Sequence, residues 1–137
     1  MENSFDLIVL GAGSGGLAAA KRAASYGATV AIVEGDRVGG TCVLRGCVPK
    51  KLLVFGSKYD DYIKNANSYG FEFNNVSFSS KTLLNNVRME VDRLNKLHIK
   101  FLEKSGVDIF NGWGKFLDEN TIAIENAECN LSIKGTR

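Results

Sequence analysis

The chain has 137 residues, with 17 basic and 15 acidic side chains, and its formal charge of +2 gives no field of the kind that holds nucleic acid or an anionic membrane surface. A hydrophobic fraction of 45% is ample for one packed domain, and no apolar run reaches the roughly 18 residues of a spanning helix. The start, MENSFDLIVLGAGSGG, carries acids where a secretory leader carries basic residues, so a cytoplasmic chain is expected.

Phe5 to Leu10 is an apolar run that reads as a strand, Gly15 to Tyr26 is alanine-rich and reads as a helix, and Thr29 to Val33 reads as a second strand ending at Glu34. Strand, helix, strand within about 30 residues predicts a βαβ unit with adjacent parallel strands. After the GDRVGGT loop, Val48 to about Asn67 reads as a helix with Pro49 in its first turn, where no amide hydrogen is needed. Ser80 to Glu103 places Leu84, Val87, Val91, Leu94, Leu97 and Phe101 at spacings of three and four, which predicts a long helix with one buried stripe. Val107 to Phe110 reads as a strand, and Trp113 to Leu117, Thr121 to Ile124 and Asn130 to Ile133 as an antiparallel meander.

The segment Gly11-Ala12-Gly13-Ser14-Gly15-Gly16 fits G-x-G-x-x-G between the first strand and the first helix. Gly11 suits the tight turn, Gly13 lets backbone approach a pyrophosphate, and Gly16 lets helix and sheet pack closely. The helix N-terminus supplies free amides and positive dipole, and Glu34 stands where a carboxylate accepts hydrogen bonds from an adenosine ribose. The motif predicts a dinucleotide and does not tell FAD from NAD.

Gly39-Gly40-Thr41-Cys42-Val43-Leu44-Arg45-Gly46-Cys47-Val48-Pro49-Lys50-Lys51 places two cysteines five apart ahead of a helix. A curled segment brings such cysteines to bridging distance, and the helix start and Lys50 favour a thiolate at Cys47. Zinc is the weaker reading, since two cysteines fall short of four ligands and His98 lies on another helix. Three cysteines cannot all pair within one chain, which leaves Cys129 as the odd one.

These motifs, together with YGATVAIVE, RLNKLH and GVDIFNGWGKF in that order, resemble the FAD-containing pyridine nucleotide-disulfide oxidoreductases, nearest to the branch that reduces glutathione disulfide. The resemblance implies a Rossmann-like α/β FAD-binding domain with a central parallel sheet and an antiparallel meander. It implies that Gly11, Gly13, Ser14, Gly15, Gly16 and Glu34 hold the FAD adenosine and pyrophosphate, that Thr41 and Cys42 follow along the cofactor, and that backbone at Trp113 and Gly114 approaches the adenine. Cys47 would be the charge-transfer thiolate beside the flavin, Cys42 the thiol that attacks glutathione disulfide, and Lys50 the cation near flavin N5, with Lys51 an adjacent alternative. Ser14, Lys21 and His98 would face the substrate, whose carboxylates suit a basic Lys21. His98 departs from the family pattern, which carries a tyrosine there.

Resemblance also frames residues 1–137 as the N-terminal part of the FAD-binding domain, incomplete at its C-terminus, without the NADPH-binding and dimerisation domains. The parent would be a homodimer that takes electrons from NADPH through FAD to Cys42 and Cys47 and supports cell redox homeostasis. The fragment alone is expected to be inactive, with no nucleic acid, membrane or metal partner. Two alternatives stay open: a disulfide reductase of the lipoamide, trypanothione or mercuric type, and a degenerate flavin-binding module without catalysis.

Overall fold

The first apolar run forms two strands, β1 (Ser4–Phe5) and β2 (Leu7–Leu10), which belong to different sheets. The break falls at Asp6, whose carboxylate accepts hydrogen bonds from the Thr29 amide and hydroxyl, both at 2.8 Å. The Asp6 and Leu7 amides both donate to the Thr29 carbonyl, so the chain turns there from one sheet to the other. A single strand was expected because hydropathy runs unbroken on either side of this one acid. The structure, a computed structural model, describes residues 4–127 and 130–136; Cys129 lies outside them.

From β2 the chain enters α1 (Ser14–Ser25) and returns as β3 (Val30–Glu34), which pairs parallel with β2 on one side and with β4 (Val107–Asn111) on the other. Val30 to Val33 are at most 2% exposed, the pattern of a strand covered on both faces. One cover is helical: Leu17 and Ala20 of α1 and Leu102 of α4 (Ser80–Lys104) pack with Val30, Ile32 and Val107. The other is the second sheet, β1-β7-β6-β5, in which β5 (Trp113–Phe116), β6 (Thr121–Glu125) and β7 (Asn130–Gly135) form the expected antiparallel meander. Its Ile122, Ile124 and Ile133 pack with Phe5 onto Ala31 and Val33. β1 closes this sheet by parallel pairing with β7.

Between β3 and α4 lie a short helix α2 (Gly40–Leu44), not expected from its glycine content, and α3 (Cys47–Asn65), which a 3-10 turn (Ala66–Tyr69) extends. Gly56 of α3 lies against α4: a β-carbon there would stand 3.1 Å from a methyl of Leu83, so the glycine serves helix contact. The predicted α4 stripe is correct at Val87 and Val91, which are buried, but Leu84 and Phe101 are each 43% exposed. Leu102 is the core residue in place of Phe101: it packs with Val107 of β4 and Leu17 of α1, while the Phe101 ring meets Lys21 and His98. Among the described residues no helix is long and apolar enough to cross a membrane.

Candidate active site

Three close glycine contacts shape the two sequence motifs, and one of them joins the first motif to the second. A β-carbon on Gly16 would lie 1.9 Å from the Gly11 carbonyl oxygen, so only glycine lets α1 start this close to the end of β2. Gly40 has φ +62°, and a β-carbon on it would stand 2.6 Å from Gly13 Cα, so the start of α2 rests directly on the glycine-rich loop. The Gly39 amide donates to the Ala12 carbonyl at 2.8 Å and fixes that contact. Gly46 completes the arrangement: a β-carbon would fall 2.8 Å from the Thr41 carbonyl oxygen, so α3 begins hard against α2. Asn95 of α4 supports the same turn, its amide donating to the Val38 carbonyl at 2.7 Å.

α2 and α3 therefore present Cys42, half-buried, and Cys47, exposed at the first position of α3, as a facing pair of free thiols. The Cys42 thiol is pushed above the ordinary thiol range, chiefly by its hydrogen bond with Cys47 and then by burial, while the Ser14 hydroxyl pulls it partly back. Lys50 lies on the exposed surface of α3 one turn beyond Cys47. The neighbouring Lys51 ammonium instead lies over the Phe55 ring, 5.5 Å from its centroid.

At the other end of the glycine-rich loop, Glu34 accepts from the Ala12 amide at 2.6 Å and from the Asp36 amide at 2.9 Å. Gly13 caps α1 without a side-chain bond, and no acid sits in the first turn, so the Ser14, Gly15 and Gly16 amides keep an electropositive opening. Beyond Glu34 a cleft of about 520 Å³ is lined by Gly35, Asp36, Asn111, Trp113 and Asn126, among others. The Trp113 indole lies over Gly35, where a β-carbon would collide with the ring at 2.5 Å. Gly114 meets Leu10 and Val33 across the two sheets, a β-carbon there falling 2.7 Å from Leu10 Cδ2. Its missing side chain thus serves sheet packing at the edge of the cleft.

Lys21, seven residues after Ser14, lies two turns along the same face of α1, about 10 Å away. Its ammonium sits 5.7 Å from the Phe101 centroid, and the Phe101 ring meets His98 edge-on at 6.5 Å. The His98 imidazole is held below its ordinary pKa by burial first and by Lys21 second. Structure therefore gathers Ser14, Cys42 and Cys47 at one end of a track and Lys21 with His98 at the other. Sequence reasoning missed Phe101, which it placed in the core, and also Gly35, Gly40 and Asn95, whose roles depend on partners distant in sequence.

Residues 5–132 match the pyridine nucleotide-disulphide oxidoreductase family. The chain belongs to this family. As a family member it shows the expected Rossmann-like α/β fold, with the glycine-rich turn between β2 and α1. It is 50% identical over 90% of its length to a glutathione reductase of Nostoc sp., covering 27% of that protein. To a glutathione reductase of Burkholderia cepacia it is 42% identical over 90% of its length, covering 27%. To the chloroplastic/mitochondrial glutathione reductase of Pisum sativum it is 36% identical over 88%, covering 24%. The chain thus spans about a quarter of the length of the curated relatives it matches.

Proposed function

We propose that this chain is the FAD-binding and dithiol-bearing part of an enzyme that reduces glutathione disulfide with electrons from NADPH. The observation that carries the reading is the facing pair Cys42 and Cys47, held at the junction of the glycine-rich loop and the start of α3. The names of its relatives support the substrate.

The residues present fit FAD. The first turn of α1 offers unpaired amides to a pyrophosphate, and Glu34 keeps spare acceptor capacity on both carboxylate oxygens beside the cleft at Gly35 and Trp113. In this reading Gly11, Gly13, Ser14, Gly15, Gly16 and Glu34 hold the adenosine and pyrophosphate, Gly114 borders the adenine, and Thr41, Cys42 and Lys50 line the remainder. FAD supplies a two-electron relay between nicotinamide and disulfide.

The residues of the chain then carry the exchange. A Cys42 thiolate attacks one sulfur of glutathione disulfide, forming a mixed disulfide and releasing one glutathione thiolate. Cys47 thiolate next attacks the Cys42 sulfur, forming the Cys42–Cys47 disulfide and releasing the second glutathione thiolate; two electrons restore both cysteine thiolates. Lys50 balances charge at Cys47. Lys21 and His98 receive a substrate carboxylate two helical turns from Ser14.

Hydride supply from NADPH and assembly as a homodimer belong to the whole enzyme. Tyr59, Tyr62, Tyr69, Phe71 and Phe73 leave an exposed aromatic hollow of about 680 Å³ at the end of α3, a surface suited to a second copy. Residues 1–137 alone are not expected to sustain turnover, and a cytoplasmic setting suits free thiols. The test is purified chain with FAD: flavin binding that protects the Cys42 and Cys47 peptide, and dithiol oxidation by glutathione disulfide releasing two glutathione thiols, are expected. Absence of both would refute the reading.

A further inference from the structure

His98 is the only histidine of the chain, and its Nδ1 is a buried polar atom with no hydrogen-bond partner. A neutral imidazole carries one donor and one acceptor nitrogen, so the enclosed position decides which is which. A proton on Nδ1 would be a buried N–H with nothing to accept it, and orphaned buried donors are rarer than under-used acceptors. The imidazolium is disfavoured twice, because it also needs a proton on Nδ1 and because Lys21 faces the ring from α1. On α4 itself the residues that share its face, Leu94, Asn95, Phe101 and Leu102, carry no charge. Asn95 is engaged with the Val38 carbonyl, and α3 meets α4 further back, at Leu83. Phe101 closes the ring edge-on and holds the Lys21 ammonium over its own face.

We propose that His98 is locked as the neutral tautomer with its proton on Nε2, and meets an anionic carboxylate as an uncharged hydrogen-bond donor beside the cation of Lys21. The inference rests on the substrate reading above and specifies how that face works. Histidine thereby does what a hydroxyl donor does, and Lys21 alone supplies the charge. Carboxylate recognition then needs no imidazolium, and the positive charge of the site is that of Lys21. A carboxylate between Lys21 and Nε2 would shield the ring from the ammonium without requiring access to Nδ1.

Nitrogen-15 NMR of the full chain tests this without assignment work, since one imidazole gives all the signal. Without ligand, a spectrum of the Nε2–H form is expected, with protonation setting in only below the ordinary histidine range. In Lys21→Met the same tautomer should persist, with the midpoint moved upward because the smaller of the two causes that lower it is gone, while burial still holds it below the ordinary histidine value. An Nδ1–H tautomer, or an imidazolium at neutral pH, would overturn the inference. Titration with glutathione disulfide is then expected to shift the Nε2 resonance in the native chain. An Nε2–H form that ignores glutathione disulfide would overturn the carboxylate contact, and with it the substrate reading, while the tautomer stands, so the two failures are distinguishable.

Discussion

The Glu34 carboxylate accepts a hydrogen bond at 2.6 Å from the amide of Ala12, a residue with no exposed surface in the middle of the glycine-rich turn. One acid therefore holds the loop in shape and stands at the edge of the cleft proposed for adenosine. Replacing it with alanine leaves a buried amide without an acceptor, at a cost of about 1–3 kcal/mol. Glu34→Ala should lower the denaturation midpoint and weaken FAD retention more than it slows thiol reactivity. Glu34→Gln keeps one carbonyl oxygen for Ala12 and should recover most of the stability but not all of the flavin affinity. Unchanged flavin binding in both variants would remove Glu34 from the proposed site.

Gly46→Ala probes the geometry of the dithiol. Its β-carbon would meet the Thr41 carbonyl oxygen at 2.8 Å, a contact that backbone must give way to relieve. The expected result is separation of α2 from the start of α3 and slower closure of the Cys42–Cys47 disulfide, by about tenfold or more if the thiols lose alignment. Mass spectrometry of quenched samples reads the two-hydrogen loss directly. Closure at the native rate would show that Gly46 does not set the spacing of the pair.

How much of this was legible in the sequence depends on how local each cause is. The βαβ unit was readable because β2, α1 and β3 follow one another and their hydropathy periods change at Gly11 and Gly27. The meander was readable from turn residues such as Asp118 and Asn120, and the cysteine pair from its spacing. Splitting of the first strand was not, since it depends on Asp6 meeting Thr29, 23 residues away. Nor was the exchange of Phe101 for Leu102 in the core: the two are adjacent, and only the orientation of α4 over β4 chooses between them. Gly40 looked like loop because its partner, Gly13, lies in the other motif.

Asp6 gives the fold an acid-sensitive corner. Its carboxyl is held below the usual aspartate value, first by the hydrogen bond from the Thr29 amide and then by that from the Thr29 hydroxyl. A depressed folded-state pKa contributes stability that is present above the unfolded value near 4 and is lost as pH falls through the folded value. Asp6→Asn should lower the melting temperature in the neutral region, where the carboxylate contributes, and converge with the native chain at the acid end, so that the acid limb of a plot of melting temperature against pH is flatter. An acid limb of unchanged slope would assign acid sensitivity to other carboxylates.

Cys42 should respond to the loss of either of its two hydrogen-bond partners, and in opposite directions. The Cys42 thiol is raised mainly by its hydrogen bond with Cys47, so Cys47→Ala removes the principal cause. Alkylation of Cys42 by iodoacetamide should then run faster near neutral pH and its midpoint should move down, because thiolate is the reacting form. Ser14→Ala should act in reverse, since the serine hydroxyl lowers the same group. Stability carries the matching sign: a thiol raised on folding stabilises the native chain below its unfolded pKa and loses that contribution as pH climbs through the folded value, on the alkaline side of neutrality. In a flavin-loaded enzyme the same asymmetry predicts that Cys42→Ser keeps the long-wavelength absorption of a thiolate beside flavin and that Cys47→Ser abolishes it. Slower alkylation of Cys42 in Cys47→Ala, or the reverse absorption pattern, would exchange the roles of the two thiols.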